Sequence, residues 1–252
     1  MLKKRVIPTL LFKDNVLVKG KNFLSDRPVG SAIESIQIYD FREVDELIFY
    51  DILATKKDQC PDYNLISEIS KECFVPLIIG GGIDNLKIIE KLLRVGADKV
   101  SINTAASLNP NFLKLASKEF GSQCIVASIV AKKIASNNWE AYTGNGRDPS
   151  GLSVTVWAKE VENQGAGEIM VTSIDSDGTK KGFDIELNKT IVSQSGIPVI
   201  ASGGGGTSEH IVDLIMNSKV DAVALASMLH YDISDIKNIK SSMSKQHIEV
   251  RL

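Results

Sequence analysis

Cysteine is scarce: Cys60, Cys73 and Cys124 are odd in number and widely spaced, with no C-x-x-C pair and no histidine–cysteine cluster. They support neither a disulfide framework nor a zinc site, and read as reduced thiols of a cytoplasmic protein. Charge of one sign is also missing. The 29 basic and 31 acidic side chains leave a formal net charge of −2, which excludes a polyelectrolyte role and gives nucleic acid no basic face. No apolar run approaches the roughly 20 residues that span a bilayer. The opening MLKKRVIPTLLFKD is basic, but its apolar run stops at Lys13 and Asp14, too early for a secretion signal. There is no linker, low-complexity tract or shift in composition, so residues 1–252 read as one domain. A chain of this length buries on the order of 70–75% of its unfolded surface and needs no disulfide or metal staple.

What is present is alternation. Short apolar runs at residues 5–11, 46–51, 76–79, 99–102, 124–130, 168–172, 198–201 and 222–225 are separated by amphipathic stretches such as 85–95, 111–120, 154–164 and 209–218. Near-continuous Val/Ile/Leu content suits strands buried on both faces. Eight such strands with helices between them predict a (β/α)₈ TIM barrel. An internal repeat points the same way. VPLIIGGGI at 75–83 returns as IPVIASGGG at 197–205, 122 residues later, and DKVSINTA at 98–105 returns as DAVALASM at 221–228. Two half-barrels, at about residues 1–121 and 122–252, account for that period. A doubly wound open sheet does not predict it.

Two glycine runs, 80–82 and 203–206, directly follow predicted strands. Glycine lets the backbone approach an anion closely, and in a barrel these positions lie at the ligand-binding C-terminal face. The next strand of each half ends in small residues, Asn103–Thr104 and Ala226–Ser227. Together they suggest two phosphate cups across one mouth, suited to an elongated bisphosphorylated ligand; ordinary turn glycines are the bland alternative. TSIDSDG at 172–178 carries Asp175 and Asp177, which either orient hydroxyls and move protons or simply build a loop. Asp51, ending the second predicted strand, is a third carboxylate at the mouth. At the opposite end Arg5, Glu46, Lys99 and Glu168 start predicted strands one, two, four and six, and can close into a ring of alternating charge. His210, His230 and His247 have no ligand spacing and read as surface or loop residues. Trp139 and Trp157 read as packing residues. Residues 144–151, GNGRDPSG, read as a mobile loop over the mouth from which Arg147 can reach an anion.

KKRVIP, DNVLVKG, VDELIFYDI, IIGGGI, GADKVSINTAA, FGSQ, GAGEIMVTSIDSDGTKKGFD and PVIASGGGG together resemble the cyclase subunit of imidazole glycerol phosphate synthase, from Lys3 to beyond Ser227. The resemblance implies a (β/α)₈ barrel paired with a glutamine amidotransferase. The partner's ammonia passes along the barrel axis to a bisphosphorylated ribonucleotide, and no cofactor or metal is implied. It assigns Gly81, Gly82, Asn103 and Thr104 to one phosphate cup, and Asp177, Gly178, Gly203, Gly204 and Ser227 to the other. Arg5, Glu46, Lys99 and Glu168 become an ammonia gate, and Asp98 and Gln123 lie on the glutaminase-facing side.

The family does its acid/base work with aspartates ending the first and fifth strands. TLLFKD and ASIVAKK place Leu11 and Val130 there. Neither moves a proton, and such groups contribute about 10²–10⁴-fold each. Lys132 and Lys133 are no replacement, and Lys19, Asp51 and Asp175 are the residual candidates. An intact gate over an altered mouth resembles the family's second-copy branch, found in surface-polysaccharide gene clusters. There a barrel and glutaminase heterodimer passes ammonia to a sugar amidotransferase making amidino sugars. CPDYNLI and KECFVP look like that branch, while Val130 departs even from it. An authentic cyclase of histidine biosynthesis, and a phosphate-ligand scaffold with no ammonia role, remain the alternatives.

Overall fold

Residues alternate in direction along the first strand. β1 (Arg5–Lys13) turns Ile7 into one apolar cluster and Val6, Leu10 and Phe12 into another, as the two-residue period of a strand requires. The computed structural model describes residues 3–41, 43–57, 59–231 and 233–251, so the first two residues of the basic opening lie outside the described residues. After β1 come β2 (Val16–Lys21), β3 (Leu24–Gly30), α1 (Ala32–Phe41), β4 (Leu47–Asp51), α2 (Ala54–Lys57) and α3 (Tyr63–Glu72). β5 (Leu77–Gly80), α4 (Leu86–Arg94), β6 (Lys99–Ile102), α5 (Thr104–Leu108) and α6 (Asn111–Phe120) complete the first half. The second half runs β7 (Ile125–Ala135), β8 (Asn138–Thr143), β9 (Asp148–Ser153), α7 (Val154–Asn163), β10 (Glu168–Ser173) and α8 (Ile185–Gln194). It ends with β11 (Val199–Ser202), α9 (Ser208–Ser218), β12 (Ala222–Leu225), α10 (Ser227–His230) and α11 (Ile236–Lys245).

Parallel pairing runs β1–β4–β5–β6–β7–β10–β11–β12 and returns to β1. Eight parallel strands therefore close into a barrel with helices between them, the expected (β/α)₈ architecture. The strands are short and aliphatic; β5 and β12 are buried at every residue. Helices start where the sequence offers a side-chain oxygen: Asp62, Asn85, Asp184, Thr207 and Asp235 each accept from a first-turn N–H. Among the described residues no helix is long and apolar enough to cross a membrane.

The half-length period appears in three dimensions. β1 and β7, the first strands of the two halves, outgrow the ring and each recruits an antiparallel hairpin, β2–β3 and β8–β9. Leu11 and Val130 sit at the two branch points: Leu11 pairs with Tyr50 and Val18, and Val130 with Thr172 and Tyr142. At the opposite face aspartates one or two residues before a strand hold a neighbouring strand's N–H. Asp45 accepts from Val6 (2.8 Å), Asp98 from Leu77 (2.8 Å) and Asp221 from Val199 (3.1 Å).

Asp45 carries more than that bond. Its Oδ1 lies 2.9 Å from Lys240 Nζ, with both side chains buried, and Lys240 also donates to the Glu43 carbonyl at 3.0 Å. The pair ties α11 to the start of β1. Asp45→Ala strands a buried ammonium and an N–H, and should cost about 3–5 kcal/mol in denaturant unfolding. Adding Lys240→Met should recover part of that loss; a single-variant loss below about 1 kcal/mol would show the pair to be solvated.

Candidate functional site

The C-terminal ends of the ring strands open on a cavity of about 520 Å³. Both hairpins contribute to it, Phe23 from the β2–β3 turn and Asn145 and Arg147 from the β8–β9 turn. Residues 144–151 are therefore in part the expected loop, with 144–147 forming a turn over the mouth. Residues 148–151 belong to β9, and the Asn145 amide donates to the Ile52 carbonyl, strapping the turn to the chain leaving β4. Arg147 does face the cavity.

Gly81, Gly82, Asn103 and Thr104 line the β5–β6 side, and Gly203, Gly204 and Ser227 the β11–β12 side, opposite in the ring; Asp177 and Gly178 adjoin the latter. Gly81 has φ +104°, and a Cβ there would lie 2.1 Å from the Asp51 carbonyl oxygen. Gly204 has φ +113°, with the Gly182 oxygen at the same 2.1 Å. Only glycine satisfies both demands, so the runs pack their own loops as well as leaving bare backbone toward the cavity. The first side also holds the β8–β9 hairpin, because Asn103 Nδ2 donates to the Tyr142 carbonyl (3.1 Å) and Thr104 Oγ1 accepts from Gly144 N (3.3 Å).

Leu11 and Val130 both line the cavity. Among the described residues, each carboxylate that lines it has a partner. Asp51 Oδ1 accepts from the N–H groups of Leu53 (2.9 Å) and Ala54 (3.1 Å), and Asp84 accepts from Asn85 Nδ2 (2.8 Å). Asp177 lies 3.7 Å from the buried Lys19 ammonium. Asp175 departs from expectation: it is exposed, lies off the cavity lining, and its carboxylate accepts from Lys133 N at 2.8 Å. Ile174 N–H bonds the Ala131 carbonyl (2.9 Å) and the chain then turns, Asp177 N–H bonding the Ser173 carbonyl (2.9 Å), which leaves the Asp175 side chain against the β7 extension. Lys132 and Lys133 also point away, over the rings of Tyr142 and Trp139. Asn22, which no motif singled out, holds this loop. Its Nδ2 donates to the carbonyls of Ile174 (2.8 Å) and Asp175 (2.9 Å), and its N–H to that of Asp177 (2.8 Å).

At the N-terminal face the four charged residues meet in a closed cycle. Arg5 Nη1 is 2.8 Å from Glu46, and its Nη2 bonds Glu168. Lys99 Nζ completes the cycle at 3.2 Å from Glu46 and 3.0 Å from Glu168. Burial alone would lower the Arg5 pKa, but the hydrogen bonds and charges of Glu168 and Glu46 outweigh it and hold the guanidinium above its ordinary value. Asp98 and Gln123 are both exposed near this face. Asp98 has one oxygen committed to Leu77 N, and Gln123 Nε2 bonds only locally, to the Phe120 carbonyl at 3.5 Å and Cys124 Sγ.

Elsewhere Trp139 and Trp157 are buried packing residues, with Trp139 Nε1 donating to Asp184 at 2.9 Å. His247 is exposed, while His210 and His230 are half-buried. Among the described residues no three His, Cys, Asp or Glu side chains converge as metal ligands, and no disulfide joins the cysteines.

A closed eight-stranded parallel barrel with helices between its strands and a glycine-flanked cavity at its C-terminal mouth defines a (β/α)₈-barrel protein. The family model described as "Histidine biosynthesis protein" matches residues 5–235, and the chain belongs to that family. The chain is 43% identical over 252 residues to a protein of Bacillus cereus named imidazole glycerol phosphate synthase subunit HisF, with both chains fully covered. A HisF subunit from another Bacillus cereus strain is 42% identical, again over both whole chains. A third, from a Nostoc species, is 43% identical, covering all of this chain and 98% of that one.

Proposed function

We propose that this chain is a cyclase-like subunit that docks a glutamine amidotransferase as a heterodimer and conducts its ammonia, with its own cyclase chemistry impaired. One barrel domain spans residues 1–252 in this reading and works in the cytoplasm without a cofactor. The charged cycle of Arg5, Glu46, Lys99 and Glu168 serves as the gate, with Asp98 and Gln123 at the docking face. The glycine-lined sides of the mouth hold a phosphorylated small molecule. The final acceptor belongs to amidino-sugar synthesis for a surface polysaccharide, through a sugar amidotransferase.

One observation carries the reading: Leu11 and Val130 face the cavity, and each carboxylate lining it among the described residues already has one oxygen on a backbone N–H, a side-chain amide or near Lys19. A site in which Leu and Val replace both proton-transfer groups loses about 10²–10⁴-fold per missing group. The full-length identity to HisF subunits favours a second reading, an authentic cyclase of histidine biosynthesis. Two experiments separate them. Purification from the native host should bring down a glutaminase whose activity rises on binding this chain. Expression in a histidine auxotroph lacking its cyclase should give no growth; rescue would establish the second reading.

A further inference from the structure

Between the charged cycle and the mouth cavity one side chain spans the barrel axis. Tyr50 leaves β4 two residues after Ile48, on the same inward face, and packs against the interior cluster. Its hydroxyl crosses to the far wall, 2.7 Å from Ser101 Oγ on β6 and 3.1 Å from Met170 Sδ on β10. The phenol of one strand is thus held by two others. Gly80 supplies the room, since a Cβ there would lie 2.1 Å from Tyr50 Cε1 and 2.3 Å from Cδ1. Gly80 is not among the positive-φ glycines, so space for this ring, not a turn, demands glycine at that position.

Tyr50, Ser101, Ser128 and Met170 all line the cavity. On the other side of the ring lies the aliphatic interior, where Ile7, Ile48, Ile78 and Ile200 are fully buried. Beyond that layer come the four charged residues at the strand starts. We propose that Tyr50 is the barrier of the barrel axis: it closes the passage between the charged cycle and the mouth, and an ammonia-sized molecule crosses only when the phenol releases Ser101. This deepens the ammonia-conducting reading and rests on it. Ammonia is suited to the exchange because it both accepts from a phenol and donates to a serine hydroxyl, so neither partner is left bare during transit. Burial raises the pKa of Tyr50 above the ordinary phenol value, which keeps the group neutral and gives ammonium no counter-charge there.

The test is crystallography of the full chain under xenon pressure, since xenon occupies apolar voids that are open to it. In the unaltered protein xenon should enter the mouth cavity and stop above Tyr50. In Tyr50→Ala it should appear on the axis against Ile7, Ile78 and Ile200; Tyr50→Leu gives the same readout should the alanine variant not fold. Xenon beneath Tyr50 in the unaltered protein overturns the proposal, as does its absence there in both folded variants. Failure to recruit any glutaminase would remove the ammonia reading while leaving the xenon result standing, so the two failures are told apart.

Discussion

Placing aspartate at positions 11 and 130 together should raise turnover of the histidine-pathway bisphosphorylated ribonucleotide with added ammonia by at least about 10²-fold, and up to about 10⁴-fold. The two positions are equivalent in the half-barrels, each where a ring strand branches to its hairpin and each facing the cavity. Their surroundings differ in a useful way. Val130 is 6% exposed, so desolvation would raise the pKa of an aspartate there and keep it a proton donor. Leu11 is half-buried, and an aspartate there would ionise more readily and serve as base. Two carboxyls driven apart by environment are what acid/base catalysis uses. Each single variant should gain little, because paired groups act as a unit. Steady-state assays of the four proteins decide it. Substantial turnover by the unaltered chain would refute the impaired-cyclase reading. No gain in the double variant would place the deficit elsewhere in the mouth.

The barrel was legible because its strands are continuous apolar runs and because the half-length repeat leaves a period that an open sheet does not explain. The observed bounds of β6 and β12 coincide with the runs at 99–102 and 222–225. The four hairpin strands were not legible. VLVKGK and NWEAYT mix lysine, glycine and acidic or amide residues, and they form strands because β1 and β7 extend past the ring and offer paired edges. Asp175 illustrates the same limit: a DxDG sequence signals a turn, but only the pairing around it decides which aspartate faces the cavity. Asp98 was legible as a charge beside the start of a strand, whereas its bond to Leu77 N required the register of β5 and β6. Tyr50 was within reach of the alternation rule, two residues from an inward isoleucine. Its partners were not, since Ser101 and Met170 are brought to it by barrel closure from 51 and 120 residues away.

Arg5→Ala should cut the stimulation of a bound glutaminase by about tenfold or more. The four-residue cycle is neutral as it stands, two cations against two carboxylates, and Arg5 supplies one bond to each carboxylate. Without it Glu46 and Glu168 face each other with only Lys99 between them, and the barrel base gains a negative charge. Hydrogen bonds to charged groups contribute about 1.5–3 kcal/mol each, and about 1.4 kcal/mol is already tenfold in a rate. Lysine should not substitute well at this position, because a single ammonium cannot bond Glu46 and Glu168 in the forked geometry of a guanidinium. Arg5→Lys is therefore expected to restore less than about half of the stimulation. The cycle lies on the opposite face from the cavity, so binding of a phosphorylated ligand at the mouth should persist in both variants. Glutamine hydrolysis by the complex, with and without the barrel variants, reads the effect directly. Unchanged stimulation in Arg5→Ala would reduce the cycle to a structural clasp on the strand starts, visible then only as a loss of about 2 kcal/mol or more in unfolding stability.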